Sequence, residues 1–326
     1  MISRQYPEAP AEVYLFATCL VDLFVPQAGL DAVRLLEREG LTVHFPRGQS
    51  CCGQPAYSSG NPEQARAVAR AQLDLFSQPW PIVVPSGSCA GMMRHHWPRL
   101  FEDDAVAGPK ARALAERVYE LSEFLLRVLK VRFPAAAASG SKSRSGSGSG
   151  SDSGSGSRSG SVRPETVVLH TSCAARREMG TRVHGVELID ALPGVARLEH
   201  ERESECCGFG GTFSLKHPDI SGAMVQDKVR SACATGCDTL VSADCGCLLN
   251  IGHAARRQAL GLKVEHMATF LWRRLGSGDG SGDSGDDGSR DSIGGGSGGS
   301  GGRGSGGSGG SGGGRDVAIA GTEPQR

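Results

Sequence analysis

Neither sign of charge dominates this chain: Lys and Arg number 35, and Asp and Glu also number 35. Without a net basic field nothing draws in nucleic acid or an anionic membrane from a distance, so neither is expected as a partner. Long apolar runs are missing too. None approaches the ~20 residues that cross a bilayer, so no membrane span is expected. Residues 1–12 hold no apolar stretch of the secretory-leader kind. Together these absences predict a cytoplasmic protein, where thiols stay reduced and disulfides are rare. Also missing are a Gly-x-Gly-x-x-Gly after a strand, a phosphate-binding loop and a serine nucleophile elbow. Gly208 to Phe213 approaches the first of these but breaks the pattern. Nicotinamide, flavin and serine-hydrolase chemistry are left without a motif.

What the chain does hold is cysteine, 11 in all, and it holds them in a pattern. Cys51-Cys52-Gly53 recurs as Cys206-Cys207-Gly208. Each copy lies between an earlier cysteine and a later one: Cys19 and Cys89 in the first half, Cys173 and Cys245 or Cys247 in the second. The gaps match, at 32 residues from Cys19 to Cys51 against 33 from Cys173 to Cys206. Cys52 to Cys89 is 37, against 38 from Cys207 to Cys245 or 40 to Cys247. A repeat that preserves thiols argues for two equivalent sites.

A chain of 326 residues has room for about two domains of ~150 residues. Glycine, at 48, is inflated by an Ala/Ser/Gly segment over 134–161 and a Gly/Ser/Asp-rich one over 276–326. Both lack the apolar side chains that offset ordering entropy and are expected to be a disordered linker and tail. Two cysteine blocks remain, 12–133 and 162–275. In the first, strands are expected over 13–17, 41–45 and 81–85, with helices over 29–39, 62–76 and 110–130. The second repeats the order, with strands over 166–170, 196–200 and 239–243 and helices over 183–192 and 219–235. Alternation at this spacing predicts an α/β protein of two similar Rossmann-like half-domains with parallel sheets. Ligands in such sheets gather at the carboxyl ends of strands, where the first and last cysteines of each half fall.

Four thiols meeting in each half suit iron–sulfur clusters, in which each soft iron takes a cysteinate. Adjacent cysteines point apart and so suit two metal atoms of one polynuclear cluster better than a single ion. Gly53 and Gly208 tolerate positive φ and let main-chain N–H groups approach sulfur closely. His170, three residues before Cys173, is placed to hydrogen-bond a thiolate, and Asp244 to do so through water. Two four-cysteine zinc sites are an alternative, but zinc knuckles space ligands two to four apart, and Cys19 and Cys89 lack such companions. A vicinal disulfide at each double cysteine leaves the other thiols unexplained. Cys233 and Cys237 read as small apolar filler. His95 and His96 read as surface or helix-edge residues, and Arg176, Arg177 and Arg182 as a solvated helix face rather than a carboxylate site.

At Ala17-Thr18-Cys19, Cys51-Cys52-Gly53-Gln54-Pro55, Pro85-Ser86-Gly87-Ser88-Cys89, Leu169-His170-Thr171-Ser172-Cys173, Cys206-Cys207-Gly208-Phe209-Gly210-Gly211 and Asp244-Cys245-Gly246-Cys247 the chain resembles the paired-CCG cysteine-rich proteins. Relatives of this kind include the double-CCG component of heterodisulfide reductase, the glycolate oxidase iron–sulfur component and the lactate utilization protein A family; the likeness to the last covers nearly all of both blocks. That resemblance implies an iron–sulfur electron-transfer component of a multi-subunit system oxidising L-lactate to pyruvate. It implies one 4Fe–4S cluster per half-domain, held by Cys19, Cys51, Cys52 and Cys89 and by Cys173, Cys206, Cys207 and Cys247, with Cys245 a rival or extra ligand. The partners implied are a ferredoxin-like iron–sulfur subunit, a third subunit and a respiratory electron acceptor. A subunit catalysing disulfide or glycolate chemistry at a cluster is the alternative. In the heterodisulfide reductase relative the last cysteine belongs to a Cys-x-x-Cys pair, whereas here Met92 stands three after Cys89.

Overall fold

The computed structural model describes residues 4–133 and 163–276; the expected linker and nearly all of the expected tail lie outside them. Among the described residues the first half forms β1 (Glu12–Leu15), β2 (Thr42–His44), β3 (Ile82–Val84) and β4 (Val118–Glu120). The second forms β5 (Glu165–His170), β6 (Val195–Leu198), β7 (Thr239–Ser242) and β8 (Lys263–His266). Each sheet is wholly parallel, in the order β2-β1-β3-β4 and β6-β5-β7-β8. In this doubly wound order the chain reverses direction between β1 and β3, and again between β5 and β7. The loops leaving those strands open a crevice, and they carry the single cysteines.

The sequence pattern places three strands in each half, and the structure has four. The expected helix over 110–130 is instead a helix over Ala107–Glu116, then β4, then a second helical segment from Leu121. Good helix formers flank Val118-Tyr119-Glu120 on both sides, so local propensity alone favours one helix; pairing with β3 overrides it. Other boundaries shift little. Pro26, Pro62 and Pro218 each occupy the first position of a helix, where the missing N–H costs nothing.

Strands β1 and β5 are buried on both faces, and alternate residues feed different cores. Val13 and Leu15 with Val167 and Leu169 face a layer between the two sheets, filled by Leu35, Leu36 and Phe124 from one half and Leu188, Phe270 and Leu271 from the other. Tyr14 and Phe16 face an outer cluster around Trp97 and Phe101, and Val168 and Leu240 face another around Val229 and Ile251. Because the middle layer belongs to both halves, neither half has a closed core alone. No helix of the described residues is long and apolar enough to cross a membrane.

Candidate metal centre

In the first half, β1 ends short of Thr18, a β-branched residue held at φ 71°, so that Cys19 opens a short helix at the mouth of the crevice. Such a conformation is costly for threonine and persists only where surroundings enforce it. Gln49 supplies part of that constraint: its Nε2 donates to the Leu15 carbonyl at 2.7 Å and its Oε1 accepts from Ala17 N–H at 3.1 Å. The double-cysteine loop is pinned twice more. Buried Gln72 accepts from Ser50 N–H at 3.0 Å, and Trp97 Nε1 donates to the Cys52 carbonyl at 2.9 Å. Gly53 sits at φ 87°, which lets its N–H turn back to Cys51 Sγ at 3.4 Å. Cys89 lies in the first turn of the helix that follows β3.

The second half repeats these devices with different chemistry. Gly208 takes φ 84° and its N–H points to Cys206 Sγ at 3.3 Å. Asn250 Nδ2 donates to the Cys207 carbonyl at 2.9 Å. Where Gln72 stands in the helix opened by Pro62, Lys228 stands at the same position in the helix opened by Pro218, and it donates to the Arg202 and Glu203 carbonyls. Cys247 lies in the first turn of the helix after β7.

All nine expected ligands, Cys19, Cys51, Cys52, Cys89, Cys173, Cys206, Cys207, Cys245 and Cys247, line one cavity of about 330 Å³ between the two sets of loops. Hydrogen bonding from Cys19, and then from Cys52, pulls the Cys51 thiol down to about 3. Cys206 is pulled down to about 2 by Cys173, and then by Cys207. Their partners Cys19 and Cys173 are pushed up by the same pairing, and Cys52 and Cys207 are raised likewise. Thiols that hydrogen-bond one another in this way are a donor set suited to a soft metal.

His170 is buried against the second set. Its ring nitrogen lies within 4.8 Å of Cys207 Sγ and Cys247 Sγ, and neither ring nitrogen has a hydrogen-bond partner. Burial, reinforced by Lys228, pulls its pKa to about 3, so the ring is neutral. An orphaned buried imidazole beside two buried thiols is a group awaiting a partner. Asp244 has a more direct role than water-mediated contact with sulfur. Its Oδ1 accepts from Ser88 N–H at 2.9 Å and its Oδ2 from Ser172 N–H at 3.4 Å, tying the Cys89 and Cys173 loops together.

Several side chains differ from their sequence reading. His95 and His96 are half-buried at the seam, where their Nε2 atoms meet the Glu178 carbonyl at 3.1 Å and its carboxylate at 3.0 Å. Arg176 and Arg182 grip Glu203 rather than forming a solvated face, and Arg177 alone of the three is exposed. Cys233 and Cys237 pack against the outer core of the second half, away from the cavity lining. Gln49, Gln72, Trp97, Lys228 and Asn250 carry no motif, and only their partners in the fold reveal them.

Comparison with known proteins agrees with this architecture. The family profile "CCG: Cysteine-rich domain" matches residues 13–94 and 167–252. Lactate utilization protein A of Bacillus subtilis (strain 168) is 39% identical over 260 residues, which cover 80% of this chain and 98% of the relative. The protein of the same name from Bacillus thuringiensis (strain Al Hakam) is 40% identical over 261 residues, again covering 80% and 98%. A crystal structure of a hypothetical protein from Helicobacter pylori superposes with a TM-score of 0.50 at 10% identity, covering 84% of this chain and 50% of that one, a likeness of fold alone. The chain belongs to the lactate utilization protein A family and is built from two CCG cysteine-rich domains.

Proposed function

We propose that this chain is an iron–sulfur electron-transfer subunit of a multi-protein system that oxidises L-lactate to pyruvate. It would hold one 4Fe–4S cluster in each half, on Cys19, Cys51, Cys52 and Cys89 and on Cys173, Cys206, Cys207 and Cys247. The observation that carries the reading is the convergence of both thiol sets on one cavity. Similarity to proteins named for lactate utilization supports the substrate and membership of a multi-protein system; the partners in this reading are a ferredoxin-like iron–sulfur subunit and a third subunit, with a respiratory acceptor downstream. Work in the cytoplasm suits the reduced thiols.

A cluster, when bound, supplies one-electron storage at a potential anywhere from about −700 to +450 mV. The chain's own residues supply the rest. Gly53 and Gly208 present N–H groups to Cys51 and Cys206, which stabilises the thiolates. Gln72, Trp97, Lys228 and Asn250 hold the two double-cysteine loops so that the adjacent pair of thiols in each half stays aimed at the cavity. Asp244 fixes the spacing of the two sites.

Iron, acid-labile sulfide and electron paramagnetic resonance on anaerobically purified protein test this. The reading requires about eight irons, falling by half in Cys52→Ser and likewise by half in Cys207→Ser. Zinc, or no metal, overturns it. A second reading, two-electron catalysis at a cluster, draws on the two sites sharing one cavity; turnover of a disulfide by the isolated protein would favour it.

A further inference from the structure

We propose that Cys245, although carried by the second half, serves the metal site of the first half, joining Cys19, Cys51, Cys52 and Cys89 as a fifth thiol from across the seam. The assignment rests on the reading that each half holds a cluster.

Its first support is register. The helix after β3 begins at Gly87, behind Ser86, and the helix after β7 begins at Cys245, behind Asp244. Cys89 and Cys247 are therefore equivalent, each the third residue of its helix, and Cys247 completes the second set. Cys245 is the counterpart of Gly87 and is surplus in its own half.

The second support is direction. A Cβ built on Gly87 would lie 2.4 Å from the Ala175 side chain and 2.9 Å from that of Thr181, both in the second half. This position therefore faces the opposite half. Cys245 obeys the same geometry in reverse: only 2% exposed, it packs with Val21 and Ala28 of the first half. Val21 is two residues from Cys19. Asp244, next in the chain, accepts from Ser88 N–H at 2.9 Å and locks the start of the Cys245 helix onto the Cys89 loop. Cys245 lines the same cavity as the first set.

Two consequences follow. The first site gains a fifth thiol, whereas the second pairs four thiols with the unpartnered His170. Metal in the first site is also gripped by both halves at once.

The test uses the full anaerobic protein and two spectral signals, one abolished by Cys52→Ser and the other by Cys207→Ser. Cys245→Ser is expected to change the line shape of the first signal and to speed loss of first-site iron to a chelator at least tenfold. The second signal and its iron should keep their wild-type behaviour. If the serine variant does not fold, Cys245→Ala, which suits the apolar contact with Val21 and Ala28, takes its place. A change confined to the second signal, or no change in either, overturns the assignment while leaving the two-cluster reading intact. Wild-type protein without iron overturns both.

Discussion

Gly53 and Gly208 do the same work at nearly the same φ, yet the fold leaves them different room, and this separates the cost of conformation from the cost of crowding. An alanine at either position must adopt the left-handed region, at about 1–2 kcal/mol. At Gly208 the new Cβ would stand 2.6 Å from the Ser221 carbonyl oxygen and 3.1 Å from Ser221 Cα, both backbone atoms of the helix Pro218–Ala234. Relief requires moving the loop or the helix, and overpacking of this kind adds about 1–3 kcal/mol. At Gly53 the nearest atom is the Ala65 carbonyl oxygen at 3.1 Å, which a few tenths of an ångström relieves. Gly208→Ala should therefore cost about 2–5 kcal/mol and Gly53→Ala about 1–2 kcal/mol. For a folded body of this size the first corresponds to a fall of about 4–20 °C in Tm and the second to about 2–8 °C. Thermal unfolding of the anaerobic protein, followed by circular dichroism, reads the difference, and iron content reads its local effect: Gly208→Ala should empty the second site first. Equal Tm values for the two variants would show that contact with Ser221 does not constrain the loop, and the reasoning would fail.

Three further outcomes follow from named groups. Burial pushes the Glu120 carboxyl up to about 8, so stability from this group is full below pH ~4.5 and is lost as pH rises through about 8. At 1.36 kcal/mol per pH interval the loss is about 5 kcal/mol at most. Glu120→Gln, which keeps an acceptor for Ser122 N–H, should flatten the fall in Tm between pH 6 and pH 9; parallel curves would refute it. Lys228→Gln gives the second half the side chain the first has in Gln72, so the chain should fold while the midpoint potential of the second-site signal drops as a positive charge leaves; potentiometric titration with an unmoved midpoint contradicts this. Trp97→Phe strands the Cys52 carbonyl and should cost about 1–3 kcal/mol, with iron lost from the first site only, as iron analysis of the variant would show.

The sequence carries the repeat, the α/β class and the thiols because those features have local signatures. β1, β3, β5 and β7 are short apolar runs, and a cysteine closely follows each. β4 and β8 lack such a signature. Both are edge strands: Val118-Tyr119-Glu120 is embedded among helix formers, and Lys263-Val264-Glu265-His266 is interrupted by charge, that of Glu265 being met by Arg273 from the following helix. Polar helix residues fare similarly. Gln72 and Lys228 resemble any solvated position until the fold turns them inward to the double-cysteine loops. His95 and His96 look superficial because their partner, Glu178, lies more than 80 residues away.

Buried side chains around the cysteines are also what make the two matched sites unequal. Three residues before the first cysteine of each set stand Phe16 and His170, and behind each double cysteine stand Gln72 and Lys228. The first comparison sets an apolar ring against a neutral imidazole, and the second sets a neutral amide against an ammonium, so Lys228 alone brings a difference in charge. Any anionic group held by thiolates is stabilised by a nearby positive charge, and the more reduced form, carrying more negative charge, is stabilised most. Under the electron-transfer reading the second site is therefore the better electron acceptor. Buried Lys228 is bonded to the carbonyls that precede Cys206, so little water screens its charge from that site. Duplication supplies two thiol sets of one design, and under the electron-transfer reading the buried charge of Lys228, outside the repeated motif, would set a direction between them.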